Sequence, residues 1–316
     1  MALDPQLKAY ADQLAATAGP PRSTLTAQAV RQQEAADLAA SLVGTTPLPV
    51  ARVEDRAIPG PDGSIPIRIY TPEGDGPFSL VVYFHGGGWA LGNLESHDDV
   101  CRGMARDAGC IVVAVGYRLA PEHRFPAAPE DGYAATLWAA QHATELGGDP
   151  QRLAVAGDSA GGNLAAVVAL MARERGELRL IAQALIYPIT DLRMQTASYA
   201  ENANAPMLTR DDMAWFRDLY IRGPEDVIHP WASPLLAENL SGLPPALVVT
   251  AGYDPLRDDG ELYAERLRAA GVSVTLRRYD DLAHGFMRHG RVVDRARVAR
   301  AETLAALGAM IAAPAE

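Results

Sequence analysis

The chain of 316 residues carries only two cysteines, Cys101 and Cys110. That is too few for a disulfide framework, and their spacing is not the C-x-x-C of metal and redox sites. The expectation is two packed, reduced thiols in a cytoplasmic protein, with no metal and no cofactor. Positive charge is also scarce. Against 39 Asp and Glu there are 28 Lys and Arg, giving a formal net charge of −11 and a pI near 5.1. This argues against nucleic acid or an anionic membrane as the main partner, since both select basic surfaces; a small neutral or lipophilic substrate fits better. No uninterrupted apolar run reaches the roughly 18 residues needed to span a bilayer. In MALDPQLKAYADQLAATAGPP, Asp4, Lys8 and Asp12 fall where an export signal needs an apolar stretch, so no signal peptide is expected. Internal repeats and low-complexity tracts are missing as well. With 48% hydrophobic residues, what is left is a globular chain able to build one large core or two small ones.

What is present is an alternation. After Pro66 short β-rich runs alternate with longer helical patterns. The apolar runs are IRIYT (67–71), LVVYF (80–84), CIVVAV (110–115), RLAVAG (152–157), QALIYP (183–188), PALVVTAG (245–252) and VSVTLRRY (272–279). Several are continuous in Val, Ile and Leu, which is how strands covered on both faces of a parallel sheet read. Ala-, Leu-, Arg- and Glu-rich stretches at 96–108, 126–144, 160–175, 258–270 and 291–312 supply the helices. Strand, helix and strand in repetition predict an α/β fold. Two segments fall outside the pattern: residues 1–45 read as one or two amphipathic helices, and 191–230 form a long insertion. An insertion of that length is usually functional, often a lid over a site.

Two motifs lie at strand ends. Gly157-Asp158-Ser159-Ala160-Gly161 occupies a strand-to-helix corner, the place of a G-x-S-x-G nucleophile elbow. By composition the pattern arises by chance in roughly one such chain in ten, so its context matters more than its letters. Ser is also a preferred helix cap, and Ser159 is expected both to sit at the helix N-terminus and to attack. His85-Gly86-Gly87-Gly88 directly follows another strand, and glycines there leave backbone N–H groups free to face a bound oxygen. A base and an acid should follow the serine along the chain, acid before base. His284 in DLAHGF comes just past the last strand, whereas His289 reads as a solvated residue among arginines at the start of the C-terminal helix. Asp254 in TAGYDPLRDDG follows the penultimate strand. Its rivals Asp258 and Asp259 read as first-turn residues of the next helix, where carboxylates favour the helix dipole.

With these residues in view the chain resembles microbial esterases of the hormone-sensitive lipase family, in the branch whose elbow reads G-D-S-A-G-G. HGGGW (85–89), YRLAPEHRFPAAPEDGY (117–133), GDSAGGNLA (157–165), YDPLRDDGELYAERL (253–267) and HGF (284–286) stand in the family's order and spacing. The resemblance implies an α/β-hydrolase fold in one domain over 1–316, with a mostly parallel sheet flanked by helices and a helical cap formed by about 1–45 and 191–230. It implies Ser159 as nucleophile, His284 as general base, Asp254 as its partner, and the N–H groups of Gly87, Gly88 and Ala160 as oxyanion hole. The implied activity is a carboxylesterase acting on short- to medium-chain acyl esters through an acyl-enzyme. The alternatives are an amidase or arylamine deacetylase on the same triad, or a non-enzymatic binding protein of small molecules. Members are often dimers, so a homodimer is a further expectation, though no segment proves an interface. One departure stands out: Gly116 precedes Tyr117 where relatives usually carry Asp, removing a polar group near the loop that supports the site. Met207, Leu208, Met213, Trp215 and Phe216 in the insertion pack the cap on the body or line an acyl pocket.

Overall fold

The computed structural model describes residues 1–17 and 19–312. Among them, eight strands form one sheet: β1 (Arg52–Gly60), β2 (Gly63–Thr71), β3 (Phe78–Phe84), β4 (Cys110–Val115), β5 (Gly148–Asp158), β6 (Ala182–Ile186), β7 (Ala246–Tyr253) and β8 (Val274–Ala283). Their order is β1-β2-β4-β3-β5-β6-β7-β8. The hairpin β1–β2 is antiparallel, β2 runs antiparallel to β4, and every later pairing is parallel. The expected α/β fold with a mostly parallel sheet is therefore present.

Continuous apolar runs mean what they predicted. Along β3, Leu80, Val82 and Phe84 join the core on one face of the sheet, while Val81 and Tyr83 join the core on the other. A period of two with both faces covered makes Leu80 to Phe84 apolar on either side. Before the sheet come α1 (Pro5–Thr17) and α2 (Ala27–Leu42). One face of the sheet is covered by α3 (Asp98–Ala108) and by the C-terminal helix, the other by α4 (Ala127–Gln141) and α5 (Ala160–Arg175). In α5, thirteen of sixteen residues are buried, from Ala160 to Ala172, which explains its run of Gly and Ala: sheet and neighbouring helix both approach closely.

The insertion after β6 holds α6 (Ala197–Glu201), α7 (Arg210–Tyr220) and α8 (Pro224–Val227). α7 starts where Thr209 and Asp212 form a reciprocal capping box. α9 (Arg257–Ala269) and α10 (Asp294–Ala312) complete the chain. No described helix is long and apolar enough to cross a membrane.

Two expectations need correction. The sheet does not start after Pro66: β1 and the first three residues of β2 precede it. RVEDRAIPG reads poorly as a strand because it lies at the edge of the sheet, where only Ile58 of its nine residues is buried and charge keeps the edge from pairing further. The N-terminal helices exist, but they are barely amphipathic, burying Leu7 in α1 and only Ala27 and Val30 in α2.

Candidate active site

β5 ends at Asp158 and α5 begins at Ala160, so Ser159 alone turns the chain. Its backbone stands at φ 57°, ψ −119°, a conformation that costs a non-glycine residue about 1–3 kcal/mol and persists only where the surroundings impose it. The surroundings do so here. Ser159 N–H donates to the Ile186 carbonyl at 2.8 Å, and the Ser159 carbonyl accepts from Asn163 N–H at 3.0 Å. The flanking glycines are steric necessities. A Cβ on Gly157 would lie 2.2 Å from the Gly161 carbonyl oxygen, and one on Gly161 would lie 1.9 Å from that of Phe84. Ser159 occupies the N-cap position of α5, yet its side chain caps nothing. Its hydroxyl turns to His284 instead.

Neighbouring strands deliver the other two groups: Asp254 follows β7 and His284 follows β8. His284 Nε2 is 2.9 Å from Ser159 Oγ, and Nδ1 is 2.7 Å from Asp254 Oδ2. Asp254 is fully buried, with its second oxygen accepting Leu256 N–H at 2.8 Å. A carboxylate can only accept, so the imidazole proton sits on Nδ1 and Nε2 is left to accept from the serine hydroxyl. Two residues that the sequence did not single out complete this wall. The Tyr187 ring packs on the imidazole with centroids 4.7 Å apart. Asn202, from the insertion, donates to the Asp254 carbonyl at 3.1 Å and fastens the acid's loop.

Each glycine after His85 has its own reason. A Cβ on Gly86 would lie 2.7 Å from Asp158 Oδ2, one on Gly87 2.3 Å from the Leu91 carbonyl oxygen, and one on Gly88 2.1 Å from the Phe216 ring. Gly87 and Gly88 also stand at φ 119° and 58°. The loop begins against the elbow, because the missing Cβ of Gly161 would also be 2.7 Å from the His85 carbonyl oxygen. Gly86 N–H is already engaged, donating to Asp158 Oδ1 at 2.9 Å. The next residue, Trp89, is buried and stacks flat on Tyr220 of α7, with centroids 4.0 Å apart.

Beneath the loop lies a buried polar cluster that sequence reasoning missed altogether. The Asp158 carboxylate accepts from Tyr83 OH at 2.6 Å and from Tyr187 OH at 3.4 Å, and His97 Nε2 stands 3.4 Å away. Burial works to raise the Asp158 pKa, but His97 and the Tyr83 hydroxyl outweigh it and hold the carboxyl well below its usual range. His85 stacks on Tyr117, whose OH donates to the His85 carbonyl at 2.8 Å. Burial, reinforced by His97, pushes the His85 pKa down to about 3, so its ring stays neutral.

The rivals are placed elsewhere. His289 is neither solvated nor in the C-terminal helix: it ends the short turn Phe286–Arg288, half-buried against the Tyr10 ring at 5.3 Å. Burial and Arg288 push its pKa down to about 3. Asp258 and Asp259 do stand in the first turn of α9, and both also tie down the insertion. Asp258 accepts Ser198 N–H, and the fully buried Asp259 accepts the N–H groups of Thr190 and Asp191. At Gly116 a Cβ would press on Pro66 at 3.0 Å. The loop after it is held by Asp131, which takes both the N–H and the guanidinium of Arg118. From the insertion cluster, Leu208, Met213 and Phe216 are buried in the main core, Met207 packs half-buried on the opposite one, and Trp215 is half-exposed.

The family model described as alpha/beta hydrolase fold matches residues 81–288. The carboxylic ester hydrolase LipN of Mycobacterium tuberculosis is 52% identical over 241 residues, 74% of this chain; the match spans 64% of LipN, under two thirds of its length. The carboxylesterase NlhH of the same species is 48% identical over 266 residues, 82% of this chain and 83% of NlhH. Among solved structures, a hyperthermophilic esterase from the archaeon Pyrobaculum calidifontis superposes with a TM-score of 0.93 at 45% identity, covering 99% of this chain and all of that one.

Proposed function

The chain belongs to the α/β-hydrolase fold family, and from that premise we propose that it is a serine carboxylesterase for short- to medium-chain acyl esters. The observation that carries the reading is the relay from Asp254 through His284 to a strained Ser159, with hydrogen bonds of 2.7 and 2.9 Å. Ser159 Oγ attacks the ester carbonyl while His284 Nε2 takes its proton. His284 then returns that proton to the departing alkoxide, leaving an acyl-enzyme. A water deprotonated by His284 attacks the acyl group, and Ser159 leaves with the proton. Through both steps Asp254 keeps the imidazole oriented and stabilises its positive form.

The negative oxygen of each tetrahedral intermediate is assigned to the N–H groups of Gly87, Gly88 and Ala160. Gly86 is ruled out by its bond to Asp158. Ala160 N–H lies at the first turn of α5, where the helix dipole favours negative charge.

Residues 1–45 and 191–230 act as a cap. Supporting this, Phe216 of α7 lies directly on Gly88. Arg22 pairs with Asp212 of α7 at 3.4 Å, and Arg31 of α2 donates to the Ala90 and Ala120 carbonyls at 2.7 and 2.6 Å. Phe216 then closes the acyl pocket at medium length. Each buried CH₂ adds about 0.8 kcal/mol of binding until the chain meets that wall. The two buried free thiols fit a reducing, cytoplasmic setting.

The test is a panel of p-nitrophenyl esters. kcat/KM should peak among short to medium acyl groups and fall for long ones, and Ser159→Ala should abolish turnover in a folded protein. A steady rise through palmitoyl esters would refute the pocket, and anilides cleaved faster than matched esters would favour an amidase.

A further inference from the structure

The residue next to the nucleophile is not needed by the relay, yet it is more deeply engaged than the serine. Asp158 is 3% exposed, and its carboxylate gathers four partners from three parts of the chain: Gly86 N–H, Tyr83 OH, Tyr187 OH and His97. Building on the esterase reading, we propose that Asp158 is the positioning residue of the oxyanion pocket, bracing the glycine loop from beneath so that the N–H groups of Gly87 and Gly88 face the developing negative oxygen.

The geometry supports this from both sides. Gly86 lacks a side chain, and a Cβ there would lie within 2.7 Å of the carboxylate, so the loop is cut to fit Asp158. Two residues further on, Gly88 fits under Phe216 in the same way. The glycine loop is thus gripped between a carboxylate below and an aromatic ring above. Because Asp158 adjoins Ser159 in the chain, one peptide unit ties the loop that receives the oxyanion to the turn that carries the nucleophile. Removing this buried acceptor would leave its donors unpartnered, and the loop would relax toward other arrangements. Oxyanion donors act through placement, and a shift of a few tenths of an ångström weakens them in the transition state without weakening substrate binding.

The experiment compares Asp158→Ala, Asp158→Asn and Tyr83→Phe with wild type on p-nitrophenyl butyrate. It adds two inhibitors of matched shape: an alkyl trifluoromethyl ketone, which forms an oxyanion adduct on the serine, and the corresponding methyl ketone, which mimics only the ground state. Asp158→Ala should lower kcat by about 10²–10³-fold, the loss seen when an oxyanion donor is removed, with KM within about threefold. Trifluoromethyl ketone affinity should fall by a comparable factor and methyl ketone affinity should hold. Asp158→Asn, whose amide oxygen still accepts from Gly86 and Tyr83, should recover at least about tenfold of that loss. Tyr83→Phe, nearly isosteric, should lose about threefold to tenfold in kcat. Equal weakening of both ketones, or wild-type kcat and trifluoromethyl ketone affinity in Tyr83→Phe, would overturn the proposal, and Tyr83→Phe decides it even if Asp158→Ala does not fold. The esterase reading fails separately, by the wild-type protein leaving esters intact or by Ser159→Ala keeping wild-type turnover.

Discussion

At the strand ends there is no room for a methyl group: a Cβ on Gly161 would stand 1.9 Å from the Phe84 carbonyl oxygen. In α2, by contrast, only Ala27 and Val30 of sixteen residues are buried. The groups proposed to react rest on the first kind of structure, and the N-terminal helix α2 belongs to the second. Elbow, glycine loop and histidine loop are set by backbone contacts and by buried hydrogen bonds such as that from Gly86 N–H to Asp158. The N-terminal helices are joined to the rest by a few directed contacts, chiefly Arg31 to two carbonyls and Arg22 to Asp212 of α7, whereas α7 is packed into the core through Met213, Phe216 and Tyr220. The difference teaches where tolerance lies. Interiors resist added volume, whereas ion pairs at a partly exposed surface contribute little to stability. On the proposed reading, chemistry is built on the part that cannot yield, and selectivity on the segments packed over it.

The largest effects should come from the unyielding region. Asp254→Asn keeps the volume but reverses the hydrogen-bond sense at His284 Nδ1, and kcat should fall by about 10⁴-fold with the melting curve little changed. Steady-state kinetics beside thermal denaturation would check both halves. Gly161→Ala must push apart the elbow and the start of the glycine loop. A stability loss of about 3 kcal/mol or more is expected in urea unfolding. A variant as stable as wild type would show that the corner is looser than its contacts imply.

How far the sequence foretold all this follows the same division. The strands β2 to β7 could be read because their covered stretches are nearly all apolar, β8 from the alternation of its VSVTLRRY run, and the serine, histidine and aspartate because they follow such strands in a set order. β1 escaped notice because an exposed edge carries charge rather than a pattern. The partners of Asp158 escaped because Tyr83 lies 75 residues away, and nothing local announces a long-range hydrogen bond. Asn202, in an insertion without periodicity, gave no signal for the same reason. The arginines beside His289 suggest solvent, but its ring packs against Tyr10, which lies at the other end of the chain. Helices α1 and α2 were found, but not how little they bury.

Smaller effects are expected in the segments packed over the glycine loop. Phe216→Leu shortens the wall over Gly88 without emptying the core. It should raise kcat/KM on the octanoyl ester relative to the butyryl ester by about tenfold, the scale on which one or two methylenes are discriminated, at a stability cost of about 1 kcal/mol. An unchanged chain-length profile would detach Phe216 from the acyl pocket. Arg31→Ala should have the least effect on stability, about 1 kcal/mol, while broadening acyl selectivity as α2 loosens from the loop. A large collapse in melting temperature would mean that the N-terminal helices are part of the frame after all.

The central claim is that the strained Ser159, activated by His284, is the nucleophile. Its most direct test is to treat wild type and Ser159→Ala with diethyl p-nitrophenyl phosphate and locate the adduct by peptide mass spectrometry. One diethylphosphoryl group per chain, on Ser159 and absent from the folded Ser159→Ala protein, is the result this account predicts. Stoichiometric labelling of another residue, or esterase activity in Ser159→Ala that remains sensitive to the reagent, would contradict it.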